Sequence, residues 1–144
     1  MCFRLSGSAR CCIFGRASKK CREAASHLRI ADVPNKSIIH EPMLERINIR
    51  PYLKQYGNRI RSVSCGGESG PEARICDFSW ILDTHMQCVE YGVPFHFHQT
   101  GARLRRGDKV YDIPRGYQHE QAKKAQLDFD GRGIQDWEIE YESD

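Results

Sequence analysis

Nowhere in these 144 residues is there an apolar run of about 18 residues, the length a helix needs to cross a bilayer. A membrane partner is therefore not expected. No Cys-x-x-Cys pair occurs, so zinc ribbons and thioredoxin-type motifs are unsupported although the chain has seven cysteines. That odd count, without the apolar segment of a signal peptide, argues against a secreted disulfide framework. A reducing cytoplasm is the expected compartment. Acidic residues are missing before Glu23, and the basic residues there lack the aromatic interleaving that stacks bases, so nucleic-acid binding is not expected. The one Gly-Gly pair is accompanied neither by the Lys-Ser/Thr of a P-loop nor by the G-x-G-x-x-G of a dinucleotide site.

What is present fits one soluble domain, with 40% hydrophobic and 28% charged residues. The net charge of +3 is unevenly spread. Residues 1–36 hold eight Lys/Arg against two acids, and residues 126–144 hold one Arg against seven acids. One-signed charge with low hydrophobicity disfavours collapse. The expected organisation is a basic, cysteine-containing and partly disordered leader over 1–34, an α/β domain over 35–126 and an acidic tail over 127–144. The leader superficially matches an organelle transit peptide but has little apolar periodicity; a truncated or rearranged start is the preferred expectation.

Periodicity supplies the elements. A short helix is expected over Lys19 to Leu28, and a buried strand over Lys36 to His40, stopped by Glu41-Pro42. Ile49, Tyr52, Leu53 and Tyr56 are spaced for a helix with Pro51 in its first turn, and a second strand follows at Ile60 to Cys65. Asp77 is a good N-cap for a helix carrying Phe78, Ile81, Leu82, His85, Met86 and Val89 on one side and stopped by Gly92. Val93 to Gln99 alternates as a strand, Leu104 to Ile113 reads as a hairpin turning at Arg106-Gly-Asp-Lys109, and a short helix follows Pro114. The Arg-Gly-Asp triplet is read as turn chemistry rather than as an adhesion signal.

Strand, connection, strand, helix, strand is the pattern of a mainly parallel sheet, whose strand ends would bring Glu41, Glu68 and Gln99 to one rim. A closed eight-stranded barrel needs about 250 residues, so only part of one can be present. Gly66 and Gly67 allow a sharp turn or close approach to a ligand, with Glu68, Ser69 and Arg74 around the bend. Two rim carboxylates could divide acid and base roles, or simply cap helices and pair with arginine. His96 and His98 on one strand face suit a metal, an anion contact or plain packing. Cys65 reads as a small buried side chain, since no base accompanies it.

Ile39-His-Glu-Pro-Met-Leu44, Cys65-Gly-Gly-Glu-Ser-Gly-Pro-Glu-Ala-Arg74, Gln87-Cys88, Gly92-Val-Pro-Phe-His-Phe-His-Gln99 and Pro114-Arg115 occur in an order similar to that of a phage and bacterial family of unknown function. It is the family named after phage gene products thirty-seven and sixty-eight, and the similarity covers roughly residues 25–126. Its full-length members resemble radical S-adenosylmethionine proteins, with a cysteine cluster near the start and a barrel body. The resemblance implies that this chain is the carboxyl-terminal part of such a barrel. It further implies that Glu41, Gly66, Gly67, Glu68, Ser69, Arg74, His98 and Gln99 line a ligand site. S-adenosylmethionine and an iron–sulfur cluster are implied for full-length relatives, but the leader lacks the grouped cysteines of a cluster motif, so no cofactor and no metal are expected in this chain. Relatives commonly carry Lys where His98 stands, which favours an anion-contact role there.

The expectation is thus a partial (β/α) barrel, truncated, lacking the cluster-binding half and inactive alone. Its partner would be a separate amino-terminal half or a second copy. A non-catalytic module binding a small molecule or peptide is the alternative, and a metal-dependent hydrolase using His96, His98 and a carboxylate is a weaker one. No catalytic residue is assignable.

Overall fold

Alternation along the strands sorts apolar from polar side chains and so decides how they stack. The computed structural model describes residues 2–5, 10–12 and 36–131. It contains β1 (Cys2–Leu5), β2 (Arg10–Cys12), β3 (Lys36–His40), β4 (Ile60–Gly66) and β6 (Phe95–Gln99) in one sheet of order β2-β1-β3-β4-β6. A smaller sheet joins β5 (Cys76–Asp77), β7 (Arg103–Arg106) and β8 (Lys109–Asp112). The helices are α1 (Arg50–Tyr56), α2 (Phe78–Glu90) and α3 (Gln118–Lys124).

The strands β3, β4 and β6 are mutually parallel, as the strand–helix–strand spacing demands. Among the described residues the sheet does not close, and β1 lies antiparallel to both β2 and β3. The hairpin of β7 and β8 turns where the sequence places it, but pairs with β5 rather than extending the main sheet. The expected Lys19–Leu28 helix and the tail beyond Gly131 lie outside the described residues.

Ile38, Val63, Phe95 and Phe97, which an open sheet would leave partly exposed, are buried; Ile39, on the opposite face, is half-buried. The cover is not the hairpin alone. Met43, Ile47 and Ile49 from the loop after β3, Leu53 of α1 and Ile81 and Cys88 of α2 all join the same core. The strand edges are also occupied: β1 takes the free side of β3, and Phe129 bridges antiparallel to Phe95 on β6. Pairing removes the unsatisfied backbone groups that make an edge sticky.

The N-terminus of α2 is capped as expected, Asp77 Oδ1 accepting from the Ser79 amide at 2.8 Å. Its inward face differs from the expected stripe. Ile81, Thr84, Gln87 and Cys88 are buried, whereas Leu82 is 38% and Met86 58% exposed. A polar residue wins an inward position because it has work there. Gln87 Oε1 accepts from the Ile49 amide at 2.7 Å, and its Nε2 donates to the Ile47 carbonyl at 2.9 Å. Those two backbone groups belong to a loop with no sheet partner, and a buried amide left unpaired is costly. Gln87 therefore fastens the loop after β3 onto α2, which sets the position of the chain leaving the rim.

Candidate ligand-binding rim

The Gly-Gly pair ends β4 where it passes closest to the end of β6. A Cβ on Gly67 would lie 2.3 Å from the Thr100 carbonyl oxygen, a contact no side chain can make. A Cβ on Gly66 would stand 3.1 Å from both Glu41 Cδ and Gln99 Cγ. Sequence reasoning allowed these glycines either a sharp turn or close approach to a ligand. The structure shows them clearing space for neighbouring chain, and Gly66 makes room for Glu41 and Gln99 to meet.

They do meet. Gln99 Nε2 donates a short hydrogen bond to Glu41 Oε1 and a second, 3.2 Å, to the Gly67 carbonyl. Ser69 Oγ lies 2.9 Å from Oε1 of both Gln99 and Gln118, and Gln118 Nε2 donates to the Ile113 carbonyl at 3.0 Å. A polar chain therefore runs from the end of β3, across the ends of β6 and β4, to the segment before α3. Glu68 stands apart from it. Its carboxylate takes Arg74 Nε and Nη2, both at 2.8 Å, and the Arg74 amide at 3.0 Å. The Arg74 guanidinium, with that backbone amide, holds the Glu68 carboxyl down at about 2, well below the usual carboxylate range.

The histidines are ordered by acceptors. His98 Nδ1 is 3.0 Å from Glu41 Oε2, His96 Nδ1 is 3.0 Å from Asp128 Oδ2, and His119 Nδ1 is 2.9 Å from the His98 carbonyl. A carboxylate or carbonyl can only accept, so each Nδ1 carries the proton. The His98 and His119 rings sit 4.8 Å apart, edge to face, and His96 and His98 are 6.0 Å apart. The Nδ1 of His98 is thus engaged by Glu41. The polar character continues along the same sheet, where Ser37 Oγ and Ser62 Oγ are 3.2 Å apart and Ser64 is the register partner of His96.

The eight residues expected to line a site thus fall into two groups. Glu41, Gly66, Gly67, Ser69, His98 and Gln99 share one network, and Glu68 with Arg74 forms an adjacent ion pair. Sequence reasoning missed Gln118, His119 and Asp128. Their only signal is polarity near a short helix, and nothing local says that they return to the end of β6. Among the described residues no three His, Cys, Asp or Glu side chains are grouped to hold a metal ion. Cys65, Cys76 and Cys88 are buried core thiols, pushed up by burial, to about 12 for Cys76 and Cys88, so none is a ready thiolate ligand or nucleophile.

Fold and rim define a mixed α/β protein with three parallel strands and a polar cluster at their carboxyl ends. A family model described as "Protein of unknown function (DUF5131)" matches residues 15–138, and the chain belongs to that family. No curated protein and no solved structure matches it. Among the described residues no helix is long and apolar enough to cross a membrane.

Proposed function

We propose that this chain is a binding module built on the carboxyl-terminal part of a radical-S-adenosylmethionine-like barrel, and that its rim holds a small molecule rich in N–H or O–H donors without transforming it. The observation that carries this reading is the Glu41 carboxylate, 22% exposed, standing beside the His98 ring, 46% exposed, at the strand ends. Loops at the carboxyl ends of parallel strands are the usual ligand position in such sheets, which supports the same choice. S-adenosylmethionine, which the family resemblance implies, belongs to the donor class through its ammonium and ribose hydroxyls. Cys65, Cys76 and Cys88 are buried in the core and, among the described residues, are not grouped to hold a metal ion. No radical step is routed through these residues.

Calorimetric titration of the intact chain with S-adenosylmethionine tests the reading. Binding that weakens about tenfold in Glu41→Gln is the expected result, since a hydrogen bond to a charged group contributes roughly 1.5–3 kcal/mol. Absence of binding, or equal binding by wild type and variant, would refute it.

A further inference from the structure

Among the described residues, the exposed apolar side chains of Leu82, Tyr111 and Tyr117 border a single cleft. It has a volume of about 790 Å³ and lies between α2, the β7–β8 hairpin and α3. Phe97 and Leu104 contribute to its lining, and Phe78 forms part of a wall. None of the rim side chains Glu41, Ser69, His98, Gln99 and Gln118 lines this cleft, so it is separate from the rim. Its volume falls in the range of small-molecule sites, roughly 300–1,000 Å³, and its walls are mainly apolar with a few polar groups, as such sites require.

The charges around it are not symmetrical. Arg106 and Lys124 both line the cleft. The Arg106 guanidinium rests 5.4 Å above the Phe78 ring, a stacking that leaves its planar N–H fork able to receive an anion. Lys124 Nζ holds Glu120 at 2.8 Å in an exposed pair, which exchanges partners at small cost. The lining carboxylate, Asp112, is 86% exposed and is met by Arg103 at 3.5 Å. An apolar cleft with two cations and an outward-turned, paired acid suits a ligand with a flat or aliphatic body and one negative end. We infer that this cleft binds a small amphipathic carboxylate, its body against Phe78, Leu82 and Tyr117 and its anion at Arg106 and Lys124.

The probe is 2-naphthoate, titrated into the full chain by calorimetry, with the uncharged 2-naphthylmethanol as its isostere. The inference expects saturable 2-naphthoate binding, about tenfold weaker binding of the alcohol, and a similar loss in Arg106→Gln that Arg106→Lys largely restores. Leu82→Glu, at an exposed position, is expected to abolish binding by placing a carboxylate at the mouth while leaving the thermal midpoint unchanged. Equal affinity for acid and alcohol would overturn the inference, as would full affinity in both a folded Arg106→Gln and a folded Leu82→Glu chain. A dimer seen by light scattering that 2-naphthoate does not dissociate would overturn it too, because a second copy would then be the occupant.

Discussion

Glu41 and His98 meet across the ends of β3 and β6, Oε2 to Nδ1 at 3.0 Å, although 57 residues separate them in the chain. The contact directs the Nδ1–H of His98 at the carboxylate and holds Glu41 within reach of Gln99. Neither residue shows this in the sequence, where Glu41 ends one strand and His98 alternates along another. Parallel pairing through β4 brings them together, and Gly66 leaves the space in which they join.

Gly67→Ala should be among the most damaging small substitutions. The new methyl would meet the Thr100 carbonyl at 2.3 Å, so β4 and β6 must separate at the rim. A loss of about 3 kcal/mol is expected in urea unfolding, in the upper part of the usual range for single substitutions. Gly116→Ala, where an added Cβ meets nothing within 4 Å, is the control and should change little. Equal effects would show that the rim is more compliant than its geometry implies.

Gln87→Leu keeps an apolar volume inside but strands two backbone groups, the Ile49 amide and the Ile47 carbonyl. Each buried group left without a partner costs about 1–3 kcal/mol, so a total near 3 kcal/mol is expected. Hydrogen exchange should report it locally, with the Ile49 amide losing protection before the amides of α2. Retained protection at Ile49 would mean that the loop after β3 finds another anchor.

His40 makes stability fall in mild acid. Its side chain is buried, its Nδ1 has no hydrogen-bond partner among the described residues, and burial lowers its pKa from 6.5 to about 4. The folded state therefore resists a proton that the unfolded chain accepts. The contribution is fully present above pH 6.5 and is lost progressively as pH falls towards 4. A full loss on the order of 3 kcal/mol corresponds to that shift. Urea midpoints measured from pH 7.5 to 4 should show it in the wild type and show a flatter profile in His40→Phe.

The Glu68–Arg74 pair behaves differently because it is largely in water, with side-chain exposures of 28% and 59%. Arg74→Ala should move the thermal midpoint by no more than a few degrees, since solvent screens the pair. The low Glu68 pKa gives a contribution present above 4.5 and lost as pH falls towards 2, below the window in which His40 acts. Arg74→Ala should therefore lower stability by a small, constant amount above pH 4.5 and flatten the acid limb below it. A large loss of stability at neutral pH would make Arg74 a brace of the fold.

Much of the architecture was legible from local physics. Alternation in Phe95–Gln99, the Asp77 cap and the hairpin turn between Arg106 and Lys109 each depend on residues close in sequence, and each is found where local rules place it. The parallel β3-β4-β6 order followed from the strand–helix–strand spacing. The rim was legible only as strand ends. Its wiring was not, because Gln118 and His119 reach it through a turn and a helix whose local sequence is indifferent to the direction they take.

The sequence by itself determined β3, β4, β6 and the β7–β8 hairpin, where α2 begins and that Glu41, Glu68 and Gln99 leave the sheet along one edge, but it did not show β1, β2 or β5. The tertiary structure decided what those residues touch. It set Gly66 and Gly67 against the Glu41, Gln99 and Thr100 atoms beside them, engaged Nδ1 of His98 with Glu41, and rotated α2 so that Gln87 faces inward and Leu82 outward. The reason is common to all three. Backbone dihedrals and caps are settled by neighbours in the chain, whereas hydrogen-bond partners and buried faces are settled by whichever distant groups must be satisfied once water is excluded.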